Sequence, residues 1–142
     1  MKASVAAVLL IATQFGAALS FAAAEPLDCA RVQFSEARSL VNLPPEVNIL
    51  LGKDLSGLAG IADRGGKYNP TDVVDSTLPM RRFALAAISS RLVLVAIERG
   101  GYAHFFELWS FEQRADGWHA EQRSTVQTLP RSLQELVAGA CK

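Results

Sequence analysis

The chain has 142 residues with 14 basic and 14 acidic side chains, so its formal charge is zero, and half of it is apolar. That length accommodates one domain. The charge balance excludes a polyanion partner such as nucleic acid or an acidic membrane surface, and the apolar content excludes a disordered chain. Two cysteines and two histidines are too few for a multi-ligand zinc or iron–sulfur site built from those residues. No metal and no cofactor is expected.

Met1-Lys2 is a short positive start, residues 5–19 run almost entirely apolar or small, and Ala22-Ala23-Ala24 places small residues before Glu25. This is the pattern of a secretory signal cut after Ala24. Gln14, Gly16 and the many alanines leave the run short of the ~20 strongly apolar residues of a membrane anchor. The residues before Cys29 are polar and bulky, which argues against a lipid anchor. The expected division is a signal over 1–24 and a single α+β domain over 25–142, exported to the periplasm or outside the cell. No stable membrane insertion is expected after cleavage. The mature chain would have 118 residues, 13 basic and 14 acidic, with a charge of −1.

Cys29 and Cys141 then lie at the two ends of the domain. In an oxidising compartment they are expected to pair. No C-x-x-C spacing marks a redox centre, so the bridge reads as a structural staple. Loop-closure entropy for so long a loop is on the order of 4–5 kcal/mol.

Asp28 is positioned to cap a helix through Val32, Phe34, Ala37 and Leu40-Val41. Pro44-Pro45 opens a second helix, Glu46 to Leu51, stopped by Gly52, with Val47, Leu50 and Leu51 inward. Residues 63–75 follow, with no helical or strand period and many turn formers. Such a run is either a structural excursion or a binding loop. As a structural loop it would pair Asp63 with Arg64 or Lys67, and Asp72 or Asp75 with Arg81 or Arg82. Three carboxylates there match no calcium-loop spacing. Arg81 and Arg82 are adjacent in a strand and so point to opposite faces.

Four strands follow, at Arg82–Ile88, Leu92–Glu98, Tyr102–Glu112 and Trp118–Val126. The short gaps between them dictate an antiparallel meander. A closing helix begins at Ser132, with Glu135 spaced as a capping box and Leu133, Leu136, Val137 and Ala140 as its apolar stripe. If Gly100-Gly101 is a two-residue turn, Ile97, Val95 and Val93 face His104, Phe106 and Leu108. Phe83, Leu85, Ala87, Leu92, Leu94, Ala96, Trp109 and Phe111 then share the other face. Both faces are apolar, which calls for helices on both sides or a partner or dimer surface on one. The fourth strand alternates charged and small residues and reads as a solvated edge.

Catalytic templates fail. Gly60–Tyr68 has one glycine too many before its lysine for a phosphate loop, and Tyr68 stands where a hydroxyl for magnesium is needed. His119-Ala120-Glu121 lacks the P-C-x-x-C of a zinc deaminase. No G-x-S-x-G elbow exists, and register keeps His104 and His119 too far apart for a shared metal. The reading is therefore a small non-enzymatic exported protein that binds another protein, as an inhibitor, immunity or adaptor module, with a homodimer also open. The alternative is a small hydrolase or ligand-binding domain. Its site would lie between the Asp63–Asp75 loop and the sheet end near Tyr102 and His104. Candidate binding residues are Asp63, Arg64, Lys67, Tyr68, Asn69, Asp72, Tyr102, His104 and Trp109.

Overall fold

The computed structural model describes residues 28–142. The segment read as a secretory signal, with Glu25, Pro26 and Leu27, lies outside the described residues. The class is α+β, built on one antiparallel sheet of five strands in sequential order. These are β1 (Ser35–Ala37), β2 (Arg81–Ile88), β3 (Leu92–Arg99), β4 (Phe105–Arg114) and β5 (Gly117–Val126). Two helices accompany them, α1 (Pro45–Leu51) and α2 (Leu133–Ala140).

The expected fourfold meander gains a strand. The stretch assigned to a first helix is instead a 3-10 turn at Cys29–Arg31, the short strand β1, and a second turn at Leu40–Asn42. β1 pairs with β2, through Ser35 with Ile88 and Ala37 with Ala86. It takes up a sheet edge that would otherwise be open, a gain that a poorly periodic isolated helix cannot match. Ser39 accepts a hydrogen bond from the Val41 amide and caps the next turn.

α1 starts at a proline and ends at Gly52, whose φ of 77° is the left-handed conformation that closes helices. Val47 and Leu51 point inward as expected, but Leu50 is exposed. Asn48 takes the inward place instead, donating from Nδ2 to the Leu40 carbonyl at 2.8 Å. α2 is capped by Ser132, whose hydroxyl accepts from the Glu135 amide at 3.2 Å. The Glu135 carboxylate reaches back to the Arg131 amide at 2.7 Å.

Two register features redistribute the faces. β3 and β4 are joined by a five-residue loop, with Arg99 opposite Phe105 and Ile97 opposite Glu107. Gly100 does not form a tight turn because its amide donates to the Met80 carbonyl at 3.0 Å. A Cβ at Gly100 would lie 1.8 Å from the Asn69 carbonyl oxygen, so only glycine permits this approach. The odd shift turns Trp109 and Phe111 onto the face of Val93 and Val95, and Leu108 onto that of Ala96. A bulge between Phe83 and Leu85 also places Phe83 with Ile97, whereas Leu85 stays with Ala96.

Both faces are covered. On one, Phe83, Val93, Val95, Ile97 and Phe111 pack against Leu40, Leu43, Val47, Leu51 and Ile61 of the 40–61 segment. On the other, Leu85, Leu94, Ala96 and Leu108 pack against Leu136 and Ala140 of α2. The apolar surplus around Trp109 and Phe111 is thus absorbed by the first core and is not a free partner surface.

The Cys29–Cys141 bridge is formed, with a Cα–Cα distance of 5.6 Å across a separation of 112 residues. It fastens the C-terminal end of α2 to the start of the described chain. Replacing both cysteines, Cys29→Ser with Cys141→Ser, is expected to cost about 2–5 kcal/mol in urea denaturation. A loss below about 1 kcal/mol would show that α2 is held by its packing alone.

Candidate functional site

A cluster of polar side chains lies where the 62–80 connection meets the sheet end, and Glu98 is its centre. Arg82 and Glu98 are cross-strand partners on β2 and β3. Arg82 donates to Glu98 Oε2 from Nε at 2.8 Å and from Nη2 at 2.6 Å. Glu98 Oε1 accepts from the Tyr68 hydroxyl at 2.7 Å and lies 2.7 Å from His104 Nε2. The Arg82 guanidinium also sits 4.3 Å from the Tyr68 ring centroid, within cation–π reach. His104 stands edge-on to Phe106, with ring centroids 5.2 Å apart.

Burial disfavours a charge on Glu98, but the bonds from His104, Tyr68 and Arg82 outweigh it and hold its pKa below the ordinary glutamate value. Tyr68 moves the other way, to about 12, through burial and then the adjacent Glu98 carboxylate. The carboxylate is therefore an ionised acceptor and the phenol a protonated donor. Chemically this is a lock between loop and sheet, with both carboxylate oxygens already occupied. Beside it lies a cavity of about 240 Å³, lined by Arg64, Arg82, Glu98 and Leu129 among others.

Of the residues expected to form a site, Tyr68 and His104 meet at Glu98, and Arg64 lines the neighbouring cavity. The others lie elsewhere. Asp63 is turned toward the chain before α1, accepting from the Ser39 hydroxyl at 2.6 Å and the Leu40 amide at 2.9 Å. Burial opposes its ionisation, but the bonds from Ser39, Leu40 and Arg64 prevail and lower its pKa. Lys67 and Asp72 are exposed, and Tyr102 is 97% exposed. Trp109 is half-buried on the α1 face, with Nε1 donating to Glu107 at 3.0 Å.

Asn69 is buried and organises the loop. Its Nδ2 donates to the Asp75 and Leu78 carbonyls at 2.8 and 2.9 Å, and its Oδ1 accepts from the Asp75 amide at 2.8 Å. The excursion through 70–78 is thus closed by one side chain. The ion pairs expected across it do not form. Asp75 accepts from Thr77, Arg82 goes to Glu98, and Arg81 donates to the Leu51 and Ala59 carbonyls on the opposite side of β2. The opposed orientation of the two arginines matches their strand parity.

Arg82 as a cluster member and Glu98 altogether escape sequence reasoning. A lone acid ending an apolar strand opposite an arginine is a usable signal, but it requires the register across a bulged hairpin. Among the described residues, no group of three or more His, Cys, Asp or Glu side chains is arranged to hold a metal ion. Comparison with known proteins finds no matching family model, no matching curated protein and no matching solved structure.

Two outcomes test this geometry. Asn69→Ala removes three part-buried bonds and is expected to cost about 2–4 kcal/mol in chemical denaturation, whereas Asp72→Asn should change little. Because the folded pKa of Glu98 is lowered, its stabilisation is complete above the unfolded value and is lost as pH falls through the folded one. The melting-temperature gap between wild type and Glu98→Gln should therefore be full near pH 7 and shrink below about pH 4.5. A pH-independent gap would contradict the lock.

Proposed function

We propose that the protein is a small, exported, non-enzymatic binding protein that acts on another protein as an inhibitor, immunity or adaptor module. One observation carries this reading. The segment that seals the sheet with Leu43, Val47 and Leu51 turns Val41, Ile49, Leu50, Leu55 and Leu58 outward, at exposures from 45% to 73%. Single exposed apolar residues are ordinary, but five on one short stretch favour a surface made for contact. The partner surface is accordingly placed on the 41–58 segment and not around Trp109.

Export is supported by the closed disulfide, which suits an oxidising compartment. Among the described residues no helix is long and apolar enough to cross a membrane. The hydrolase alternative needs a carboxyl whose pKa is raised into the working range. Glu98 and Asp63 are both shifted downward, and Asp63, Asp72 and His104 do not converge, so the site geometry lends that alternative no support.

The test is capture from an envelope extract with wild type and with an Ile49→Asp, Leu58→Asp double variant. Both positions are exposed, so stability should move by no more than about 0.5 kcal/mol per substitution. The expected result is a captured protein whose recovery falls at least about tenfold with the double variant. Equal recovery by both, or loss only on changing Arg64 or Tyr68, would move the surface to the loop and overturn this placement.

A further inference from the structure

The outward side of α1 is apolar in the middle and charged at its two ends. Val47 and Leu51 point into the core, so the exposed residues Glu46, Ile49 and Leu50 form the opposite row at helical spacing. Ile49 is 69% exposed and Leu50 48%. Lys53, two helical turns on from Glu46, is exposed just past the glycine stop. Its amide donates to the Asn48 carbonyl at 3.0 Å, which holds it against the last turn. Glu46 and Lys53 make no hydrogen bond or ion pair among the described residues, and Lys53 contributes only to the field at Asp63.

Such a row is complementary to itself. A two-fold axis passing between Ile49 and Leu50, perpendicular to α1, lays two copies of the helix antiparallel. Glu46 and Lys53 lie equally far from that axis, about 5 Å along the helix, so each Glu46 stands beside the other copy's Lys53. Ile49 and Leu50 then meet at the centre. Parallel packing would instead oppose like charges. Val41 precedes α1, and Leu55 and Leu58 follow it, all at least 45% exposed. The same operation therefore brings the Val41 end of one copy to the Leu55 and Leu58 end of the other. A contact confined to this segment is smaller than a standard interface of about 20–30 residues a side, which makes it weak.

We propose that the protein self-associates through this row as a two-fold dimer with a dissociation constant on the order of 0.1 mM. The inference rests on the 41–58 segment being the contact surface and adds how that surface is regulated. A second copy covers it at high local concentration, and a target protein that binds more tightly displaces the copy.

The test is sedimentation equilibrium of the disulfide-bonded protein from about 10 µM to about 1 mM. Wild type should pass from monomer to dimer across that range. Glu46→Lys and Lys53→Glu should each weaken the dimer about tenfold, and the double variant should return to within about threefold of wild type. Each reversal also sets the wrong charge at its end of α1, and that local cost would add in the double variant, whereas a pair across the axis predicts rescue. Asp54→Lys, one residue beyond the pair, should not weaken the dimer. A chain monomeric at about 1 mM, a dimer indifferent to both single reversals, or a double variant weaker than either single would each overturn the inference. A monomer that still captures a target through Ile49 and Leu58 would overturn it while leaving the contact-surface reading intact. A rescued dimer that captures no target would support it and sink the target reading alone.

Discussion

A strand that is apolar on both sides must be covered on both sides, and β3 is such a strand. Val93, Val95 and Ile97 face one way, Leu92, Leu94 and Ala96 the other, and none is more than 6% exposed. Burying apolar side chains is the dominant favourable term in folding, and β3 supplies six of them. It also dictates the architecture. The 40–61 segment must lie on one face and a helix on the other, so the sheet is the middle layer of three.

The two covers differ, and the proposed function rests on the exterior of one of them. The 40–61 segment has enough chain to seal its face with the turn at Leu40–Asn42, α1 and a further turn at Gly57–Ala59, so its outer residues are free to be apolar. α2 has only eight residues and is fastened at its end by the disulfide and by Arg123 on the Ala140 carbonyl. It covers the middle of its face, and Cys29 and Phe34 from the start of the described chain pack against the same core. One cover thus offers an apolar exterior, and the other ends beside a cleft rimmed by paired charges. The Glu98 cluster is of another kind. Its carboxylate is already filled by Arg82, Tyr68 and His104, so it joins the long connection to the sheet and leaves no oxygen for a ligand.

Much of this was legible in the amino-acid pattern. The pairing of Cys29 with Cys141 follows from there being two cysteines. The strands at Arg82–Ile88 and Leu92–Glu98, the proline-led α1 with its glycine stop and the Ser132 cap follow from local rules. So does the apolar character of both sheet faces. What was not legible depends on tertiary contacts. Gly100 reads as half of a tight turn, but Met80 captures its amide and Asn69 crowds its Cα, which lengthens the loop and moves Trp109 to the other face. Ser35–Ala37 reads as the middle of a weak helix until β2 offers it an edge. The candidate site was half legible. Tyr68 and His104 stood out as polar groups near a loop, but Glu98 and Arg82 become neighbours only when the bulge in β2 fixes their register.

Solvent paramagnetic broadening of the side-chain methyl groups tests most directly the claim that one cover seals the sheet while presenting an apolar exterior. A soluble relaxation agent should broaden the methyls of Val41, Ile49, Leu50, Leu55 and Leu58 strongly in dilute protein. It should leave those of Val47, Leu51, Val93, Val95 and Ile97 nearly untouched. Equal protection of the two sets would contradict the account, because the outward residues would then belong to the core.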